Sequence, residues 1–142
     1  MKTVAELLKS RDGTLWHARP EDSVYTALEL LAAHDVGALV VMDGPRLVGV
    51  VSERDYTRKV ALQGRNSRTT RVDEIMTRQV FTVRPETRTQ VCMALLSEKK
   101  IRHLPVVDGG TVLGMISIRD IMDDLIADRE ETIAQLESYI HS

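Results

Sequence analysis

A single cysteine, Cys92, stands in the whole 142-residue chain. It excludes an internal disulfide and agrees with a reducing compartment. Net charge is nearly absent too: 21 acidic against 19 basic residues leave −2. That balance argues against a nucleic-acid binder, whose electrostatic footprint is a basic face. No apolar run approaches the ~20 residues that span a bilayer. The opening residues, Met1-Lys2-Thr3-Val4-Ala5-Glu6, lack the apolar stretch of a secretory signal. Histidines 17, 34, 103 and 141 show no metal-ligand spacing, and with one cysteine no zinc site is expected. These absences predict a cytoplasmic protein without membrane, nucleic-acid or metal partners.

What is present is ordinary in composition, 43% hydrophobic and 28% charged, as in soluble globular proteins. The length fits one compact domain, and a chain of this size buries roughly two-thirds of its unfolded surface without staples. The informative feature is an internal repeat. A shift of 65 residues lays Arg19–Asp55 on Arg84–Asp120 without a gap, with 13 of 37 positions identical. Among them are Arg-Pro-Glu at 19–21 and 84–86, Asp43-Gly44 with Asp108-Gly109, Gly49 with Gly114, Ser52 with Ser117, and Arg54-Asp55 with Arg119-Asp120. Many remaining pairs exchange one apolar residue for another, such as Val36/Ile101 and Val51/Ile116.

Each repeat reads as strand–helix–strand–strand–helix. Short strands at Leu15–Ala18 and Phe81–Val83 end at Pro20 and Pro85, where a missing N–H suits a strand end. Val24, Ala27, Leu28 and Leu31, matched by Cys92, Met93, Leu95 and Leu96, form helical stripes. Leu39–Met42 and Leu104–Val107 are buried-strand candidates. Asp-Gly turns then lead into Leu47–Val51 and Val112–Ile116, and a helix is expected after each. The predicted organisation is an N-terminal helix at 1–14, the first repeat at 15–64, a polar linker with a short helix at 65–79, the second repeat at 80–127, and a helical extension at 128–142. Neither unit buries its sheet alone. The expected fold is therefore α+β, two units packed about a pseudo-twofold axis with a cleft between them. Ile118, Ile121, Met122, Leu125 and Ile126, continued by Ile133, Leu136 and Ile140, leave an apolar edge on the last helix that calls for a dimer partner, or else for the tail to fold back on its own domain.

The chemistry concentrates in Gly49-Val-Val-Ser-Glu-Arg-Asp55 and Gly114-Met-Ile-Ser-Ile-Arg-Asp120. Each joins a buried strand to a helix start, where free N–H groups and the helix dipole favour an anion. The serine hydroxyl can serve a phosphate, and the carboxylate three residues on can take both hydroxyls of a ribose. Glycine at the strand start allows a flat ring or a neighbouring backbone to come close. Ser-x-x-Asp before a helix is equally near a capping box, but a cap needs neither the glycine, the apolar pair nor the arginine that recur with it.

These strings, with Val72-Asp-Glu-Ile-Met-Thr77 and Ile101-Arg-His-Leu-Pro-Val-Val-Asp108, resemble the CBS-domain family, named after cystathionine β-synthase, in its stand-alone two-motif form. The likeness covers about residues 3–140, including the tail Gln135-Leu-Glu-Ser-Tyr-Ile-His141. It implies an adenine nucleotide in one or both interdomain clefts, AMP ahead of ATP, ADP and NAD, with S-adenosylmethionine less often and no required cofactor. By resemblance, Asp55 and Asp120 hold the ribose and Ser52 and Ser117 lie near ribose or phosphate, beside Arg119. Adenine falls between Trp16-His17-Ala18 and Val36-Gly37-Ala38, or between Phe81-Thr82-Val83 and Ile101-Arg102-His103, with Val36, Ala38, Thr82, Ile101 and Pro105 as site residues. Basic residues at Arg102 and His103 face phosphates in a related kinase subunit, and two modules commonly stack as a disc-shaped homodimer.

The two halves differ where phosphate chemistry matters. Arg58-Lys59 of the first repeat match Asp123-Asp124 of the second, and Arg102-His103 match the uncharged Gly37-Ala38. Phosphate is expected where Arg58, Lys59, Arg102 and His103 converge. Cys92 reads as a core residue and Trp16 as core with stacking on a base as the alternative, and Asp123, Asp124, Asp128, Glu130 and Glu131 read as a solvated helix face. Arg65, Arg68 and Arg71 read as exposed linker. His103 has no nucleophile or paired carboxylate in a catalytic string, so no enzyme is expected. The function predicted is a non-catalytic energy or redox sensor acting on a protein partner in trans; the alternative is a structural dimerisation module with no ligand.

Overall fold

The structure, a computed structural model, describes residues 2–9 and 14–141, the side chain of His141 excepted. Positions 1 and 10–13 of the expected N-terminal helical segment, and 142 of the expected C-terminal extension, lie outside the described residues. A short helix α1 (Val4–Lys9) precedes strand β1 (His17–Ala18), helix α2 (Val24–His34) and the hairpin β2 (Ala38–Asp43) and β3 (Arg46–Ser52). Then come α3 (Glu53–Tyr56), a π-helical turn (Thr57–Ala61) and a 3-10 turn (Val72–Glu74). The second unit is α4 (Thr89–Lys99), β4 (His103–Asp108), β5 (Thr111–Ser117) and the long α5 (Ile118–His141). β1 pairs parallel to β2, β2 antiparallel to β3, and β4 antiparallel to β5. No helix among the described residues is long and apolar enough to cross a membrane.

The two hairpins repeat each other in detail. Each turns on the predicted glycines, with φ +59° at Gly44 and +57° at Gly109. Each carries an irregularity at the same place, between Val41 and Met42 and between Val106 and Val107. The helices before them end alike, α2 at Asp35 (φ 51°) and α4 at Lys100 (φ 56°), both left-handed and neither a glycine. Asp tolerates this region through its short polar side chain; Lys has no such help.

The segment ahead of each repeat is swapped. Residues 70–77 do not idle as a linker; they fold onto the first repeat. Val24 N–H donates to Thr70 O at 2.8 Å, Val72 N–H to Asp22 O at 2.8 Å and Asp73 N–H to Pro20 O at 3.0 Å. The N-terminal residues do the same for the second repeat: Thr89 N–H to Lys2 O at 3.1 Å, Val4 N–H to Thr87 O and Ala5 N–H to Pro85 O, both 2.8 Å. Val72, Ile75 and Met76 complete one core with Val24, Leu31 and Val51, and Val4 completes the other with Cys92, Leu96 and Ile116. Burying one valine fully contributes about 1.5–3 kcal/mol, so Val4 and Val72 anchor these arms.

Several expectations need correction. The first strands are shorter than Leu15–Ala18 and Phe81–Val83: β1 is two residues, and its counterpart is one parallel bridge, Val83 with Val106. The helix after β3 is one turn before it widens into the π turn. Asp124 is not on a solvated face; it is 4% exposed. It points inward one turn beyond Asp120, with Thr89 Oγ1 at 3.5 Å from Oδ2 and Lys2 Nζ at 3.5 Å from Oδ1. Oδ1 receives no hydrogen bond.

Candidate functional site

Ser52 and Asp55 form the box the sequence allows. Ser52 N–H donates to Asp55 Oδ2 at 2.9 Å, Ser52 Oγ–H donates to the same oxygen at 3.0 Å, and Asp55 N–H donates to Ser52 Oγ at 3.1 Å. Lys59 Nζ reaches Asp55 Oδ1 at 3.1 Å and Ile75 O at 2.8 Å. At the start of α5, Ser117 N–H donates to Asp120 Oδ2 at 2.7 Å and Asp120 N–H to Ser117 Oγ at 3.1 Å. Both capped aspartates line a cavity.

Two such cavities lie among the described residues. The first, about 490 Å³, sets Ser52, Glu53, Arg54, Asp55, Arg58 and Lys59 of the first repeat opposite Phe81, Lys100, Ile101, Arg102 and His103 of the second. The second, about 910 Å³, sets Ser117, Arg119, Asp120 and Asp123 opposite Trp16, His34, Asp35, Val36 and Ala38. Each pairs the serine and aspartate of one repeat with the strand entry of the other, and both volumes suit a nucleotide-sized ligand. Gly37, Arg102 and His103 line both.

The four basic residues expected to converge, Arg58, Lys59, Arg102 and His103, line the first cavity together. Thr82 and Pro105 line neither: Thr82 faces solvent beside the Val83 bridge, and Pro105 is buried within β4. Phe81 lines the first cavity from the segment expected to flank adenine. Lys100 and Arg54 were absent from the expected set; the repeat could have supplied Arg54, which matches Arg119 at the 65-residue offset.

Trp16 is a correction. It is no core residue but 36% exposed, and it stacks on His34 with ring centroids 4.3 Å apart and planes within 9°. Phe81, its equivalent, has Lys99 Nζ 5.0 Å above its ring. The glycines are explained by neighbouring chain rather than a flat ligand ring. A Cβ on Gly49 would lie 2.7 Å from Met76 Sδ and 2.9 Å from Thr77 O, and one on Gly114 3.2 Å from Leu8 Cδ2.

Electrostatics separates the groups. Burial holds the His103 imidazole below its usual value; Asp120 opposes this, and Arg102 and Arg54 add to it. Burial pushes the Cys92 thiol up, consistent with an inert core position. The linker arginines are engaged elsewhere: Arg65 with Glu74 at 2.6 Å, Arg71 with Asp73 at 2.9 Å, and Arg68 over the Tyr25 ring at 4.0 Å. Among the described residues no group of three His, Cys, Asp or Glu side chains is placed to hold a metal ion.

Each repeat thus sets a capped aspartate on a cavity between the two units, the paired arrangement of a tandem module, and comparison with known proteins identifies the family. The CBS domain family model matches residues 14–62 and 72–127, and the chain belongs to the CBS-domain family as a tandem α+β pair. It is 37% identical to the mitochondrial CBS domain-containing protein CBSX3 of Arabidopsis thaliana, over 97% of this chain and 71% of that one. Its fold superposes on a protein with CBS domains from Burkholderia ambifaria at TM-score 0.86 and 48% identity, covering 89% of this chain and 96% of the other. It also superposes on the CBS domain pair of protein MJ0100, solved with 5′-methylthioadenosine and S-adenosyl-L-methionine, at TM-score 0.79 and 23% identity, covering 90% and 98%. The mitochondrial relative means that family membership assigns no compartment.

Proposed function

We propose that this chain is a non-catalytic regulatory module that binds an adenine nucleotide in its interdomain clefts and acts on a protein partner in trans. The observation that carries the reading is the first cavity, where Ser52 and Asp55 of one repeat meet Arg102 and His103 of the other beside Arg58 and Lys59. Asp55 takes the ribose hydroxyls after exchanging its Lys59 contact, and Lys59 turns with Arg58 and Arg102 to the phosphates. Adenine lies toward Phe81 and Ile101. The adenosine compounds bound by the pair from protein MJ0100 support this ligand class. Occupancy ties the two repeats together and shifts their relative angle, to the extent that the ligand prefers one arrangement.

Ile126, Ile133, Leu136 and Ile140 are exposed along α5, which supports a homodimer. A dimerisation module without a physiological ligand is the competing reading, favoured by the pairing of Asp55 with Lys59 already in place. Thermal unfolding with millimolar AMP, ADP, ATP, NAD and GTP separates them. Ligand at 100 times its dissociation constant adds ~2.7 kcal/mol, a rise of roughly 5–10 °C for a chain of this size. A rise with adenine compounds and none with GTP supports the sensor; none with any compound supports the dimer module.

A further inference from the structure

We infer that the two clefts select 5′ substituents of different charge: the first an anionic phosphate, the second an uncharged or cationic group on an adenosine compound. This rests on the adenosine reading above. The ground is a reversal of sign at equivalent positions. Lys100 ends α4 in the first cavity where Asp35 ends α2 in the second. Arg58 lines the first where Asp123, its match 65 residues on, lines the second. The serine, arginine and aspartate of each string are the same, so the ribose seat is common to both and the difference falls beyond it. Among the described lining residues the first cavity has five Lys or Arg against two carboxylates. The second has two, Arg102 and Arg119, against Asp35, Asp120 and Asp123. A low-dielectric cleft lined by one sign concentrates ligands of the other.

The aromatic wall points the same way. Trp16 lines the second cavity with its plane fixed by the His34 stack, and tryptophan is the best ring for holding a cation. The clefts are also linked, because Arg102 lines both. Phosphate in the first draws on Arg102 and leaves the second more acidic. A phosphate ligand therefore strengthens binding of a cation next door, and by reciprocity the cation strengthens binding of the phosphate.

Trp16 is the chain's one tryptophan, so its emission reports the second cleft. The test titrates the full chain with S-adenosylmethionine, a sulfonium, with neutral 5′-methylthioadenosine, and with ATP. The first two should change Trp16 emission saturably, and prior ATP should lower the concentration of S-adenosylmethionine needed. In Asp123→Asn the preference for the sulfonium over the neutral compound should fall roughly threefold to tenfold, the weight of one nearby charge. ATP should raise the melting temperature with little change in emission. ATP altering emission at or below the concentrations of the other two, or an unchanged preference in Asp123→Asn, overturns the inference. If no adenine compound moves either signal, the adenosine reading itself fails; a melting rise with ATP but no discrimination at Trp16 removes the charge selection alone.

Discussion

Lys59 Nζ lies 3.1 Å from Asp55 Oδ1, one turn along the chain, while Ser52 holds the other carboxylate oxygen from below. The carboxylate that would grip a ribose is thus poised by its cap and occupied by an exchangeable cation. Ligand binding trades that ion pair for two hydroxyl contacts and frees the ammonium for phosphate.

Lys59→Met therefore separates the two ends of the ligand. ATP should bind roughly tenfold more weakly, the loss of one charge-assisted hydrogen bond. Adenosine, which needs only the freed Asp55, should bind no more weakly than to wild type. Parallel losses for both in calorimetric titration would contradict the exchange.

Lys100 adopts left-handed backbone at φ 56° and lines the first cavity. Relieving that conformation with Lys100→Gly should stabilise the fold by up to about 1 kcal/mol while weakening ATP binding. Chemical denaturation and titration read the two effects, and a variant that loses stability would show that the side chain is held by packing.

The close approach at Gly49 predicts unequal costs at the two glycines. Gly49→Ala meets backbone at Thr77 O and should cost roughly 1–3 kcal/mol through overpacking. Gly114→Ala meets only the end of the Leu8 side chain and should cost less. Equal midpoints in urea would mean that residues 70–77 shift freely.

His103 sets a pH dependence. Its folded value lies below the ordinary 6.5 because of burial, with Arg102 and Arg54 adding and Asp120 opposing. The unfolded chain then takes up the proton more readily, so the free protein loses stability as pH falls through 6.5 toward the folded value. His103→Gln should flatten that portion of the curve. Phosphate beside the ring favours its protonated form, so ATP binding should take up a proton in wild type and less in the variant. Identical proton uptake, measured in buffers of different ionisation enthalpy, would remove His103 from the phosphate set.

Much of this architecture was legible from the 65-residue repeat. Matched turns at Gly44 and Gly109, apolar strands and paired Ser-x-x-Asp strings are local signals, and local signals survive in sequence. The arms were not. Thr3 bridges to Arg88 as Arg71 bridges to Ser23, a spacing of 68 rather than 65 with little shared identity, so tertiary packing alone reveals it. Trp16 misled for a similar reason: its apolar bulk suits a core, but its stack on His34 depends on where α2 ends. Asp124 looked solvated among its acidic neighbours because helical phase, not composition, turned it inward.

The most direct test is calorimetric titration of ATP into wild type and into the double variant Asp55→Asn, Asp120→Asn. Asparagine keeps an acceptor for the cap but loses the charge and second oxygen that a ribose needs. The account predicts saturable binding to wild type and at least a roughly tenfold loss in a double variant that remains folded. No binding to wild type, or equal affinity in the variant, would contradict it.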